Sequence, residues 1–445
     1  MIIQIPEKVN TVLETLKENG HEAYIVGGCV RDSVLGRIPK DWDITTSASP
    51  QEVKACFPRT VDTGLQHGTV TVILDGEGYE VTTYRVDGVY EDGRHPKEVH
   101  FTRSLEEDLR RRDFTINAMA YAPEKGLVDL FDGMGDIRRG LIRAVGEPAE
   151  RFSEDALRML RAVRFSARLN YEIEEKTYEA ICRLAPALCR ISAERIREEL
   201  IGILLSDHPE KLSCAAACGL TAVFLPELDR CFETPQNNPH HCWNVGEHIL
   251  RSVQAARADR ILRLTMLFHD IGKPLCRTTD EQGIDHFHGH AEIGTEMTRQ
   301  ILRRLKFDND TIDQVCRLVR YHDLQPEYTE RAMRRAMVKV GPELFPLLLE
   351  VKAADLCAQS TCQAEEKQEA LREWEALYEK VRESLCALSL KDLAVSGKDL
   401  IAEGISPGRQ IGSILNTMLE DVLDHPEHNT REYLLTAYVR NENNA

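Results

Sequence analysis

Apolar positions in the first third of the chain change their period repeatedly. Residues 5–19 place Ile5, Val9, Val12, Leu13 and Leu16 at three- and four-residue spacings, which predicts an amphipathic helix. Short β-branched runs follow at Tyr24–Val26, around Ile44, at Thr69–Leu74 and at Glu80–Tyr84, and these read as strands of one sheet. Between the first two, Gly27-Gly28 precedes a helical stretch, Val30–Leu35. From about Glu150 the pattern changes. Helix formers dominate and a period near 3.6 continues to the C-terminus, so the chain reads as a small α/β head on a long helical remainder. Polar breaks mark candidate boundaries at 140–148 and at Glu233–His241, and a Glu- and Lys-rich helix over Gln363–Glu383 precedes a last segment from Leu388. The expected division is a head at 1–140, a helical neck at 141–232, a third domain at 240–360 and a helical tail at 361–445.

Composition narrows the class. The chain has 445 residues, of which 42% are hydrophobic and 29% charged, a globular balance rather than a disordered one. No apolar run reaches the ~18 residues of a membrane span, and the first residues carry no secretory pattern. Thirteen cysteines without a CxxC pair suit free thiols in a reducing cytoplasm. The net charge of −17 argues against bulk electrostatic binding of nucleic acid. Within that acidic chain lies a basic track: Arg138, Arg139, Arg143, Arg151, Arg158, Arg161, Arg164 and Arg168.

Three constellations carry candidate chemistry. In the first, the Gly27-Gly28 pair before a helix lets backbone N–H groups approach a phosphate. Asp41 and Asp43 follow, and on a strand both carboxylates would project from one face, a donor pair suited to Mg²⁺, with Glu80 on a later strand as a third. In the second, Arg110-Arg111-Arg112-Asp113 offers guanidinium groups for phosphate and a carboxylate for a ribose hydroxyl. In the third, Asp155, Arg158, Arg161 and Arg164 recur every third residue, so a helix would align them for the edge of a nucleobase or for an internal salt-bridge ladder.

In order, VGGCVRD…DWDI, EVTTYR, DGVYEDGRHP, RRDFTINAMA, DLFDGMGDI and EDALRMLRAVRF resemble the motifs of class II tRNA nucleotidyltransferases, the CCA-adding enzymes and their poly(A) polymerase relatives. The likeness runs over about 20–230 and resumes in DLAVSGKDLIAEGISPGRQIG. It implies an α+β head with a polymerase beta-like mixed sheet, followed by an all-α neck, body and tail. It also implies addition of C, C and A to tRNA 3′ ends from CTP and ATP, with release of pyrophosphate. By that resemblance Asp41 and Asp43 hold Mg²⁺ with Glu80 assisting, while Gly28, Arg31 and Arg112 hold the triphosphate and Asp113 reads the ribose. Asp155 and Arg158 read the base, Arg161 and Arg164 are further nucleotide-binding positions, and Asp87 to Arg94 match the flexible loop tied to terminal A addition. RISAER, Arg190 to Arg195, resembles a helix start bracing the base-reading helix, with Ser192 as N-cap. A poly(A) polymerase is the first alternative.

Between His240 and Asp355 the sequence departs from shorter members. His248, His269-Asp270 and Asp355, with His290 and His322 as further candidates, look like an HD phosphohydrolase domain, and the second alternative is a phosphohydrolase acting on RNA phosphate ends. Imidazole and carboxylate ligands suit a divalent transition metal. The oligomeric state is not legible in the sequence.

Overall fold

The structure is a computed structural model, and it describes residues 2–87, 99–238, 242–360, 362–384 and 387–440. The chain forms two compact units, Met1–Asp229 and Arg230–Ala445.

The first unit contains a seven-stranded mixed sheet. Its strands are β1 (Ala23–Val26), β2 (Ile44–Thr46), β3 (Thr60–Gly64), β4 (Thr69–Leu74) and β5 (Glu77–Thr83), then, after a separate pair β6 (Arg85–Asp87) and β7 (Val99–Phe101), β8 (Met119–Ala122) and β9 (Gly126–Asp129). The order across the sheet is β3-β4-β5-β2-β1-β8-β9, with β2 and β5 parallel and the other neighbours antiparallel. Strand β1 is buried on both faces, which explains its unbroken apolar run. Alternation sends Ala23 and Ile25 into a core with Val9, Val12, Leu13 and Leu16 of helix α1 (Glu7–Glu18). Tyr24 and Val26 join Tyr84, Leu109 and Ala120 on the other side.

Around the sheet run α2 (Gly28–Val34), α3 (Pro50–Cys56), α4 (Leu105–Arg110) and α5 (Gly133–Arg139). Helix α3 begins with a reciprocal cap: Glu52 N–H donates to Ser49 Oγ, and Ser49 N–H donates to the Glu52 carboxylate at 2.7 Å. Further helices follow in the unit, among them α6 (Pro148–Glu154), α7 (Leu157–Leu169), α8 (Glu175–Leu184) and α9 (Ala193–Leu204). Among the described residues beyond Glu150, the regular structure is helical apart from two-residue ladders. Glu172–Ile173 pairs in parallel with Leu141–Ile142, and Thr278–Thr279 pairs with Asp285–His286.

The second unit is helical, with one apolar cluster around Met333, Phe345, Leu348 and Tyr378 and another around Val395, Leu400, Met418 and Leu434. Its central helices are Val245–Ala255, Arg260–Phe268, His290–Arg304, Asn309–Tyr321 and Phe345–Ala358. Asn244, Asp259 and Asp308 cap three of them through side-chain oxygens. The long helix Ala364–Glu383 follows the Glu- and Lys-rich stretch anticipated from sequence.

Candidate active sites

In the first unit the turn between β1 and α2 sets the geometry. Gly27 adopts φ 78° and ψ −127°, a conformation that disfavours a side chain. A Cβ there would also stand 3.1 Å from Arg112 Nη1. Gly28 has ordinary backbone torsions, and a Cβ on it would meet Arg31 Nη2 at 3.7 Å. Two guanidinium groups therefore flank the glycine turn at the start of α2. Arg31 is buried and held tightly: Nε donates to Asp32 Oδ1 at 2.9 Å and Nη1 to Asn117 Oδ1 at 2.5 Å. Arg112 is freer. Its Nη2 contacts Asp108 at 3.4 Å, and its buried Nε has no hydrogen-bond partner.

Asp41 and Asp43 sit just before β2 rather than within it, although Asp43 still extends the ladder by accepting from Val26 N–H at 3.0 Å. The expected placement of both on a strand therefore holds only for the backbone of Asp43. Both residues reach solvent, yet the protein around Asp43 pushes its carboxyl above its ordinary value; Arg112 opposes that rise and Asp41 adds to it. Crowded hard oxygen donors of this kind fit a divalent cation. The β2–β5 register pairs Ile44 with Val81, so one step further back sets Asp43 beside exposed Glu80. Among the described residues, these three acids do not form a cluster with all donor atoms within 4.8 Å of one another.

The three arginines at the end of α4 separate as neighbours on one turn must. Arg110 pairs with exposed Glu106, whereas Arg111 donates to buried Asp108 at 2.8 Å and Arg112 turns to the glycines. Asp113 is nearly buried and its acceptor sites are filled. Oδ1 accepts from Phe114 N–H and Asn117 Nδ2, and Oδ2 accepts from Arg161 Nε at 2.9 Å and contacts Nη2 at 2.7 Å. Burial alone would raise its pKa, but Arg161 and Asn117 outweigh it and hold the carboxyl at about 2. A ribose hydroxyl could reach Asp113 only by exchanging with Arg161.

Asp155 does not share a helix face with Arg158. Its backbone is extended, and it caps α7 by accepting from Leu157 N–H at 3.0 Å. Arg195 of α9 clamps both carboxylate oxygens, at 3.3 and 2.7 Å, as expected of a brace. Ser192 occupies the residue before α9 but makes no side-chain cap. Arg158 donates to Glu154 at 2.5 Å and to the Arg111 carbonyl at 3.0 Å, so α7 is tied to the arginine turn. Arg164 donates to Glu199 at 2.5 Å, and its stem fills the space that a Cβ on Gly202 would take. Seven of the eight track arginines, all but Arg138, carry a carboxylate partner. Sequence reasoning missed Asp108 and Glu199 and gave no role to Asp32 and Asn117, the groups that orient the arginines of this unit. Asn117 could have been found within RRDFTINAMA, but distant Glu199 had no local signal. Most of the Asp87–Arg94 loop lies outside the described residues.

In the second unit the expected His and Asp residues converge. Gly272 and Gly294 allow this, because a Cβ on Gly272 would stand 2.4 Å from the His290 carbonyl and 2.7 Å from Gly294 N. His248 Nε2 lies 2.9 Å from Asp355 Oδ1 and 3.3 Å from Asp270 Oδ2, with His269 Nε2 at 3.2 Å. On the other side of Asp270, Oδ1 lies 3.4 Å from His290 Nε2 and 3.7 Å from His322 Nε2, which are 3.2 Å apart. Two ligand groups thus share Asp270: His248 and His269 on one side, His290 and His322 on the other. Asp323 and Lys273 join them, Lys273 Nζ standing 2.7 Å from Asp270 Oδ2. The Nδ1 atoms of His269, His290 and His322 face backbone carbonyls at 2.7–2.8 Å, and that of His248 faces one at 3.3 Å. An Nδ1–H donated there leaves each Nε2 lone pair pointing inward, the tautomer a metal ligand requires. Burial works against protonation of His269, but the neighbouring Asp270 and Asp355 carboxylates outweigh it and raise its pKa.

The Poly A polymerase head domain profile matches residues 23–143, "Probable RNA and SrmB- binding site of polymerase A" matches 170–232, and tRNA nucleotidyltransferase domain 2 matches 277–438. The chain is 35% identical to a CCA-adding enzyme of Lactiplantibacillus plantarum over 440 residues, 98% of this chain and 97% of the relative. It is 52% identical over 210 residues to one from Leuconostoc mesenteroides, a match to 46% of this chain and 52% of that relative. Among solved structures it is similar to the Bacillus stearothermophilus CCA-adding enzyme in complex with CTP, with 32% identity, a TM-score of 0.73 and coverage of 99% of this chain and 100% of that one. With glycine turn, acid pair and arginine network assembled in one unit and a relative matched almost end to end, the chain belongs to the family of CCA-adding enzymes, which are nucleotidyltransferases.

Proposed function

We propose that this chain adds C, C and A to the 3′ end of tRNA from CTP and ATP, without a nucleic-acid template and with release of pyrophosphate. The observation that carries this reading is the glycine turn. Arg112 stands against the space a Gly27 side chain would fill, beside the start of α2 and the Asp41–Asp43 pair. In this reading Gly28 lets backbone N–H groups approach the triphosphate, while Arg31 and Arg112 bind its oxygens. Asp41 and Asp43, with Glu80 assisting, hold Mg²⁺, which when bound supplies activation of the attacking tRNA hydroxyl and charge neutralisation of the departing pyrophosphate. Asp155 and Arg158 read the base edge, and Arg161 and Arg164 complete the nucleotide wall. Asp113 orients Arg161, and ribose recognition runs through exchange at that pair. The CTP in the B. stearothermophilus relative supports the nucleotide class.

The helical remainder of the first unit, 141–232, would then guide the acceptor end, and the tail, 361–445, would bind the body of the tRNA. No helix among the described residues is long and apolar enough to cross a membrane, and the twelve described cysteines are free thiols, which supports a cytoplasmic enzyme. We further infer that residues 240–360 form an HD-type centre, in which His248, His269, Asp270 and Asp355, together with His290 and His322, hold a divalent transition metal. Such a cation would polarise a phosphoester for hydrolysis.

The test supplies tRNA lacking CCA with CTP and ATP, singly and together. CTP incorporation followed by ATP supports the reading, whereas ATP alone, added repeatedly, identifies a poly(A) polymerase. Asp41→Ala and Asp43→Ala are each expected to abolish incorporation while the protein stays folded. Near wild-type extension by either variant in Mg²⁺ would refute the assigned metal site.

A further inference from the structure

The tail of the second unit holds a further group of metal-ligating side chains, far along the chain from the Asp270 centre. The helix Arg409–Asp424 ends at His425, and a tight turn, Pro426–His428, leads to the short helix Arg431–Leu435. The sequence His425-Pro426-Glu427-His428 brings one donor atom from each of His425, Glu427 and His428 within 4.8 Å of the others. His425 Nδ1 stands 3.4 Å from Glu427 Oε1. That is long for a hydrogen bond. It matches the spacing of two ligands that each lie ~2.0–2.1 Å from a tetrahedral Zn²⁺, which stand roughly 3.4 Å apart.

The turn is held on both sides. Asn429 Oδ1 accepts from Ala394 N–H at 2.8 Å, and its Nδ2 donates to the Asp392 carbonyl at 3.0 Å. Thr430 caps the next helix by accepting from Tyr433 N–H at 3.3 Å. The His428 ring stacks on His425 at 4.8 Å and on Tyr433 at 4.0 Å between centroids. Its Nδ1 faces both oxygens of the largely buried Asp421 carboxylate, at 3.0 and 3.1 Å. An Nδ1–H donated to a carboxylate fixes the ring and leaves Nε2 with its lone pair, the arrangement found behind metal-bound histidines. Neighbouring Asp424 is committed to Arg331 and Arg335, at 2.7 and 2.8 Å, and adds no ligand.

We propose that His425, Glu427 and His428 bind a divalent transition metal of the zinc class, with Asp421 as a positioning residue behind His428. Two imidazoles and a carboxylate form a donor set for such an ion rather than for Mg²⁺. Three protein ligands leave a fourth position to water. His425 and Glu427 are exposed and give up side-chain freedom on binding, so the site fills from added metal rather than retaining it through purification. A bound ion joins the end of one helix to the turn that starts the next.

The experiment titrates the full chain with Zn²⁺ by calorimetry and counts bound ions by equilibrium dialysis. The tail site should appear as a class of one Zn²⁺ per chain that His425→Ala and His428→Ala each remove and that persists in His269→Ala. Glu427→Gln changes an exposed side chain, and its loss of the same class guards against a misfolded histidine variant. Asp421→Asn should weaken that class roughly 10- to 100-fold, the worth of a carboxylate behind a metal-bound histidine. If Asp421 served the fold alone, Asp421→Asn would lower the Tm of the metal-free chain and leave the affinity unmoved, and the positioning role would fall. Equal numbers of bound Zn²⁺ in wild type, His425→Ala and Glu427→Gln would overturn the tail site. So would the disappearance of all bound Zn²⁺ in His269→Ala, which would assign every ion to the Asp270 centre.

Discussion

Substituting alanine at each of the two adjacent glycines of the head should give opposite results. Gly27 needs φ 78° with ψ −127°, and a β-carbon would come 3.1 Å from Arg112 Nη1. Forcing a side chain into such a glycine-only region costs about 1–3 kcal/mol. In a unit of this size that corresponds to roughly 2–4 °C of Tm per kcal/mol. The guanidinium must also retreat by a few tenths of an ångström, which weakens a charge-assisted contact worth about 1.5–3 kcal/mol, or roughly 10- to 150-fold in rate. Gly28 has ordinary torsions and only an ordinary 3.7 Å contact, so Gly28→Ala should fold as well as wild type. Its methyl, however, would project where the phosphates approach the backbone. Gly27→Ala is therefore expected to lose both Tm and turnover, and Gly28→Ala to keep its Tm while KM for CTP and ATP rises about tenfold or more. Thermal unfolding and steady-state incorporation of labelled CTP and ATP into tRNA lacking CCA measure both. A Gly28→Ala enzyme with KM within twofold of wild type would refute the backbone cradle, and an undiminished Tm in Gly27→Ala would refute the strain argument.

Two further outcomes are expected. The fall of the Asp113 carboxyl from 3.8 to about 2 corresponds to roughly 2 kcal/mol of stability, fully present above pH 3.8 and lost as the pH drops through about 2. Asp113→Asn should therefore cost that much in denaturant unfolding at pH 7 and about half as much at pH 3, whereas an equal cost at both would contradict the ion-pair account. His269→Ala or Asp270→Ala should remove bound transition metal, measured by elemental analysis of the purified protein, while CCA addition continues; metal content equal to wild type would place the ion elsewhere.

Local chemistry was easier to read from the sequence than long-range partnership. Gly27-Gly28 and the Asp41–Asp43 pair announce themselves within a few residues, and β1 starts one residue and α2 two residues before the expected positions. Spacing misled at Asp155. A three-residue period implies one helix face, but α7 begins at Leu157 and Asp155 serves as its cap. That difference depends on backbone torsions at a helix start, which side-chain periodicity does not encode. The His and Asp residues of the second unit were read from sequence as one set, yet their division into two groups about Asp270 depends on the Gly272–Gly294 approach, a packing event between separate helices. Lys273, the lysine of Gly272-Lys273-Pro274, was visible but carried no signal until Asp270 was seen 2.7 Å away.

The pairing of the basic track changes how its charge can be spent. Counted along the chain, the eight arginines look like a reservoir waiting for phosphates. In the folded unit, seven of them already face a carboxylate. A phosphate arriving at Arg161 or Arg164 does not meet a bare cation; it competes with Asp113 or Glu199 for the same N–H groups. Binding there is an exchange of anions, which releases fewer condensed counterions from the nucleic acid than eight unengaged charges would. The same exchange rewards only a ligand that offers acceptors in the geometry the carboxylate gives up. An acidic protein can in this way keep its arginines from sticking to any polyanion while leaving them available to the one that fits.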